Sequence, residues 1–153
     1  MQKADRNVLL FLEQLTEKLA NKNALGIKSY LGWRVLTFKG LSILSKRLAS
    51  YLINKGIDKG DKIAILSESR PEWGATLFAS VLSGSTLVPL DIKLTEYELN
   101  SILSDCQPRI LMTSNAFLDK AKKLKEQIES IEEVIVISEL VLSPTTRIVI
   151  LKL

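Results

Sequence analysis

The stretch Lys55-Gly56-Ile57-Asp58-Lys59-Gly60-Asp61-Lys62-Ile63-Ala64-Ile65-Leu66-Ser67-Glu68-Ser69-Arg70-Pro71-Glu72-Trp73 constrains the fold more than any other part of the chain. Gly56 and Gly60 suit a helix exit and a tight turn, where the backbone needs conformations that side chains resist. Ile63 to Leu66 is a short apolar run of the kind that fills the middle of a parallel sheet. Ser69 followed by Glu72 has the spacing of a capping box, and Pro71 is tolerated in a first helical turn. The stretch therefore predicts helix exit, turn, buried strand and helix start in that order.

Similar units follow. The helix from Arg70 to Leu82 carries Trp73, Leu77, Phe78, Val81 and Leu82 and stops at Ser83-Gly84. Thr86 to Leu90 is the next strand, with Pro89 expected near its exit because it cannot donate a ladder hydrogen bond. Thr95-Glu96-Tyr97-Glu98 is a second capping box, opening a helix with Leu99, Ile102 and Leu103 inward. Arg109 to Thr113 reads as a strand, and Phe117, Ala121, Leu124 and Ile128 define a helix with Lys120, Lys122, Lys123 and Lys125 on its wet side. Glu133 to Ile137 is a last regular strand. Short strands alternating with helices predict an α/β fold, a right-handed βαβ series on a parallel sheet in αβα layers.

Upstream, residues 5 to 20 form a predicted helix with Val8, Leu12, Leu15 and Leu19 on one stripe. Leu9, Leu10 and Phe11 widen the apolar arc, so this helix is expected to be covered over much of its girth. Ala24–Tyr30 and Arg34–Phe38 suggest a small hairpin around Gly32-Trp33. Thr37 then caps a helix over 38–54, whose inner stripe is Leu41, Leu44, Leu48, Tyr51 and Leu52, and which Gly56 closes.

Residues 139–153 break the rhythm: Glu-Leu-Val-Leu-Ser-Pro-Thr-Thr-Arg-Ile-Val-Ile-Leu-Lys-Leu has high strand propensity and no following helix. Either this tail pairs on a sheet edge, or it is unsupported and sticky.

Composition removes several chemistries. One cysteine, Cys106, and no histidine exclude a disulfide framework or structural zinc within one chain, and imidazole acid–base work. Cys106 reads as a small buried hydrophobe. No run reaches the roughly 18 apolar residues of a membrane span, and the start lacks the pattern of an export signal, so a cytoplasmic location is expected. The net charge of +4 is spread over many elements. Lys120 to Lys125 are balanced by Glu126, Glu129, Glu132 and Glu133, which argues against a nucleic-acid surface.

No Gly-rich fingerprint follows a strand, and no Gly-Lys-Ser or Gly-Lys-Thr triplet occurs. Gly56-x-x-x-Gly60 precedes a strand and has no helix N-terminus behind it; Lys55, Lys59 and Lys62 read as solvated loop residues. Glu68, Glu72 and Asp91 lie at strand exits, where open α/β sheets place ligands. Glu72 is expected to cap, Glu68 to be a surface acid, and Asp91 either to touch a ligand or to bind its own backbone in a turn. Trp73 and Trp33 read as core and hairpin-cover aromatics.

Together these motifs resemble a known family. Trp33-x-x-x-Thr37-Phe38-x-x-Leu41, Leu48-x-x-x-Leu52 and Gly56-Ile57-x-x-Gly60-Asp61-Lys62-Ile63-Ala64-Ile65 resemble the opening of AMP-forming carboxylate-activating enzymes, the acyl-CoA synthetases and their adenylating relatives. Ser67-Glu68-Ser69-Arg70-Pro71-Glu72-Trp73, Gly84-x-x-x-Val88-Pro89-Leu90, Leu94-Thr95-x-x-Glu98-Leu99, Ile102-Leu103-x-Asp105 and Ile110-Leu111-Met112-Thr113 continue the match, over about residues 5 to 138. The Ser-Glu-x-Arg-Pro-Glu-Trp wording looks most like the long-chain fatty-acyl branch.

The resemblance implies part of a flavodoxin-like N-terminal subdomain over 1–138, with 139–153 an atypical apolar tail. It implies an enzyme that uses ATP and Mg²⁺ to form an acyl-adenylate and then passes the acyl group to a thiol, usually coenzyme A. The family's phosphate loop, aromatic–Gly–Thr–Glu stretch, ribose-binding aspartate, hinge and C-terminal lysine have no counterpart here. No catalytic, cofactor-binding or metal residue is therefore carried over. The expectation is a truncated or frameshifted ligase fragment, inactive alone and binding none of the family's cofactors well. Half of a split ligase and a free-standing α/β interaction module are the alternatives. The missing remainder is the expected partner, with self-association through uncovered sheet edges, and peripheral membrane association of the parent is possible by resemblance.

Overall fold

The computed structural model describes residues 5–30 and 32–137. Helix α1 (Asp5–Leu19) leads into an antiparallel hairpin, β1 (Asn23–Ser29) and β2 (Gly32–Thr37), then α2 (Phe38–Asn54). From there strands and helices alternate: β3 (Lys62–Leu66), α3 (Pro71–Ser83), β4 (Thr86–Leu90), α4 (Glu96–Cys106), β5 (Ile110–Thr113), a 3-10 turn (Asn115–Phe117), α5 (Leu118–Gln127) and β6 (Glu133–Val136). The four later strands form one sheet in the order β4-β3-β5-β6, with every pair parallel. The βαβ reading is what the chain adopts. The predicted tail, 139–153, lies outside the described residues.

Both faces of the sheet are covered. Ile63, Ile65, Ile110, Met112 and Ile135 pack under Leu48, Ala49 and Leu52 of α2 and Ala79 of α3. Ala64, Leu66, Leu111 and Val134 pack on the other face against Leu99 and Leu103 of α4 and Ala121 and Leu124 of α5. Alternate residues of β3 thus serve opposite cores, which is why Ile63–Leu66 is a continuous apolar run. A third cluster, Leu12, Leu36, Leu41, Leu44 and Ala75, seats α1 and the hairpin on α2 and α3.

Local signals set most boundaries. The Thr37 side chain accepts a hydrogen bond from the Gly40 N–H and starts α2. Gly56 and Gly60 have φ of +77° and +92°, the left-handed region where a Cβ is costly. Thr95 and Glu98 form a complete capping box at α4: Glu98 N–H donates to Thr95 Oγ1 at 3.3 Å, and Thr95 N–H to Glu98 Oε2 at 2.8 Å. Thr95→Ala is expected to lower stability by about 1 kcal/mol, read as a displaced urea midpoint with an unchanged slope.

Three expectations are corrected. The Ser69/Glu72 box does not form: α3 starts at Pro71, and Arg70, extended at φ −152° and ψ 159°, is its N-cap without a side-chain cap bond. A residue before proline is driven out of the helical region, which places Glu72 at the second helical position instead of the third. Helix α1 buries only Leu12 among its described apolar side chains, and Phe11 is 55% exposed. Ile102 faces the boundary of α4, 37% exposed, while Leu99 and Leu103 take the core. Trp33, 70% exposed, has its ring beside Gly26 of the hairpin, and Trp73 packs on the α2/α3 core.

Candidate functional site

β4 lies on one side of β3 and β5 on the other. The crossover through α3 and the one through α4 leave the sheet on opposite faces, so the chain reverses between β3 and β5. A reversal of this kind opens a crevice at the carboxyl ends of the strands, where doubly wound sheets place ligands. Two exits meet there, Ser67-Glu68-Ser69-Arg70 after β3 and Ser114 after β5.

The crevice is lined by a connected polar chain. Buried Thr113 donates its hydroxyl to the Leu66 carbonyl at 2.9 Å, tying the two exits together. Buried Ser114 donates to the Glu68 carboxylate. Arg70 Nη1 reaches Glu68 Oε1 at 3.1 Å, and its Nε reaches Glu72 Oε2 at 2.9 Å. Glu72, only 2% exposed, is also gripped in a two-pronged manner by Arg34 of β2, through Nη1–Oε1 and through Nη2–Oε2 at 3.1 Å. The relay Arg34–Glu72–Arg70–Glu68–Ser114 therefore runs from the hairpin to the strand reversal.

Electrostatics fits this arrangement. Burial pushes the Glu72 carboxyl up, but hydrogen bonds from Arg34 and Arg70 outweigh it and hold the group below its ordinary value. Burial likewise acts on Glu68 and is outweighed by the Ser114 hydroxyl and by Arg70, so it too is held low. Both are ionised carboxylates already matched to cations, a poor description of a general acid or base.

Glu68 is thus more than a surface acid, and Glu72 bridges instead of capping. Asp91 takes the turn-forming alternative, its Oδ1 accepting from the Lys93 N–H at 2.9 Å. Lys55 is not merely solvated: it pairs with Glu133 at 3.1 Å and lies over the Tyr51 ring. Cys106 is half-buried, and burial pushes its thiol above the ordinary value. Sequence reading missed Arg34, Ser114 and Arg109. Arg109 precedes β5 and links Asp61 Oδ2 at 2.6 Å, Glu132 Oε1 at 2.6 Å and the Gly56 carbonyl at 2.7 Å, clamping the amino-end loops of the sheet.

A nucleotide with Mg²⁺ does not fit these residues. Arg34 and Arg70 are committed to carboxylates, and no group of three or more acidic or sulfur side chains is placed to hold a metal among the described residues. Phosphate chemistry needs cationic and backbone donors aimed at open space.

The sequence profile described as AMP-binding enzyme matches residues 12–149. The chain belongs to the AMP-binding enzyme family. Among solved structures it is similar to the anthranilate CoA ligase AuaEII in complex with anthranoyl-AMP, with a TM-score of 0.77 and 26% identity, covering 90% of this chain and 27% of that one. It also shares its fold with coronafacic acid ligase from Pectobacterium brasiliense, with a TM-score of 0.78 and 22% identity, covering 93% of this chain and 27% of that one. The putative acyl-CoA ligase YdaB of Bacillus subtilis (strain 168) is 28% identical over 100 residues, 65% of this chain and 20% of that protein. The fatty acid–[acyl-carrier-protein] ligase ScoC of Streptomyces coeruleorubidus is 33% identical over 91 residues, 60% of this chain and 18% of that protein. The chain thus matches a fifth or less of the length of these two curated relatives. The relatives act on varied acids and point to no one acyl branch. No helix among the described residues is long and apolar enough to cross a membrane.

Proposed function

We propose that this chain is an N-terminal portion of an AMP-forming ligase for long-chain fatty acids, and that it is inert without the rest of that enzyme. The observation carrying the reading is the family match over 12–149 in a sequence that contains no phosphate loop. The Ser67-Glu68-Ser69-Arg70-Pro71-Glu72-Trp73 wording supports the long-chain branch by resemblance. ATP, Mg²⁺ and coenzyme A belong to the complete enzyme on this reading. Its location is the cytoplasm, with peripheral membrane contact open to the parent.

ATP–pyrophosphate exchange tests the proposal. The purified chain with a long-chain fatty acid is expected to give no exchange above the ATP blank. Exchange is expected once the remainder of a long-chain ligase of this family is supplied in trans. Exchange by the chain alone would overturn inactivity, and reconstituted exchange with short or aromatic acids only would overturn the acyl assignment.

The exposed apolar side chains Leu10 and Phe11 of α1, with Tyr30 and Trp33 of the hairpin, are surfaces that the remainder would cover. The isolated chain is expected to self-associate through them, seen as a mass that rises with concentration in light scattering. A constant monomer mass in concentrated solution would count against it.

A further inference from the structure

Two contacts tie the β1–β2 hairpin to the first turns of α3. Leu25 of β1 sits against Gly74: a Cβ there would stand 2.5 Å from Leu25 Cδ1, so Leu25 occupies the space a side chain at 74 would take. Two residues earlier on the same helix, Glu72 receives Arg34 of β2 through both of its carboxylate oxygens. A two-stranded ribbon has little stability of its own in water. Its order therefore depends on this seat, on the ion pair and on Leu36, which joins the Leu12/Leu41/Leu44 cluster. The ionic contact does not end at Glu72. Its Oε2 also accepts from Arg70 Nε at 2.9 Å, and Arg70 Nη1 donates to Glu68 Oε1 at 3.1 Å. The guanidinium is planar and rigid, so its hold on one carboxylate cannot shift without disturbing the other. The backbone offers no slack either, because Arg70 is fixed in an extended conformation before Pro71. Glu68 is the looser end: its side chain is 38% exposed, held by Arg70 on one oxygen and by Ser114 on the other.

We propose that the hairpin is a strap whose docking on α3 sets how firmly Glu68 is held at the strand reversal. While the strap is docked, Arg34 neutralises part of Glu72, and Arg70 is shared between Glu72 and Glu68. When the hairpin lifts, Arg34 leaves with it. Glu72 is buried and cannot turn to water, so it draws Arg70 to itself. Arg70 then loosens its grip on Glu68, whose carboxylate is released into the crevice. A surface ribbon and the carboxyl ends of the sheet are coupled in this way through a contiguous chain of side chains with two arrangements. The inference rests on contacts within this chain and stands whether or not the ligase reading holds.

Carboxyl labelling with a carbodiimide and glycine ethyl ester, together with amide hydrogen exchange, tests this on the full chain in dilute solution, both read by peptide mass spectrometry. The variants Gly74→Leu and Leu25→Ser alter no charge: the first fills the seat, and the second removes its occupant. In both, 23–29 and 32–37 are expected to exchange roughly tenfold faster. Glu68 is expected to label about two- to fivefold faster, as loss of a half-exposed ion pair implies. Exchange in 63–66 and 110–113, and labelling of Glu98 and Glu132, are expected to be unchanged. Faster hairpin exchange with unaltered Glu68 labelling would overturn the coupling. Unaltered hairpin exchange in both variants would overturn the strap itself, and acceleration throughout 63–66 and 110–113 in both would replace it with a loss of stability of the whole fold. With Arg70→Gln in place Glu68 should already label fast, and Leu25→Ser is expected to add nothing. A further rise of the same size would overturn transmission through Arg70.

Discussion

Glu72→Ala is expected to lower stability by about 3–5 kcal/mol, because it removes one partner from a buried ion pair. The carboxylate is 2% exposed and holds Arg34 and Arg70 together, so its loss leaves Arg70 in a site shaped for an anion. It also cuts the tie between the hairpin and the start of α3. Chemical denaturation should show the lowered midpoint, and limited proteolysis should show earlier cleavage within 23–37. Glu72→Gln keeps the volume and some hydrogen bonding, and is expected to cost clearly less.

The pH dependence has a definite sign. Folding holds the Glu72 carboxyl below its ordinary value of 4.5, so the unfolded chain binds its proton more readily. The pair's contribution is therefore fully present above about pH 4.5 and is lost as pH falls from there through the folded value. Glu68, also held low, acts in the same direction. The unaltered chain should lose stability on acidification more steeply than Glu72→Gln, a difference absent near neutrality. Equal slopes for the two proteins would contradict the assignment of Glu72 as an ionised clamp.

The relay shows where the sequence is readable and where it is not. Gly56, Thr37 and the Thr95/Glu98 box act within a few residues, so spacing alone locates them, and the strand–helix rhythm follows from periodicity. Arg34 and Glu72 are 38 positions apart, and Ser114 and Glu68 are 46 apart. No local pattern pairs them: the order β4-β3-β5-β6 brings Glu68 and Ser114 to one crevice, and the packing of the hairpin on α2 and α3 brings Arg34 to Glu72. The failed Ser69/Glu72 box is instructive because its spacing was right. Pro71 moved the helix start by one residue, and two guanidiniums then competed for the carboxylate more strongly than a single backbone N–H could.

Leu103→Ala is expected to cost about 3 kcal/mol and Ile102→Ala less than about 1 kcal/mol, although both residues sit on the apolar side of the same helix. Leu103 is fully buried against β3 and α5 residues of one core, and truncation there leaves a cavity that rigid neighbours cannot close. Ile102 already keeps over a third of its surface in water, so less apolar area returns to solvent. For a chain of this length the Leu103 loss corresponds to a fall in Tm of roughly 6–12 °C, at 2–4 °C per kcal/mol. Calorimetry on the two variants would decide the matter. Comparable losses would mean that a further element covers the Ile102 side of α4, and a small loss at Leu103 would mean that the α4/α5 core is not packed as the burial of Leu99, Leu103 and Leu124 requires.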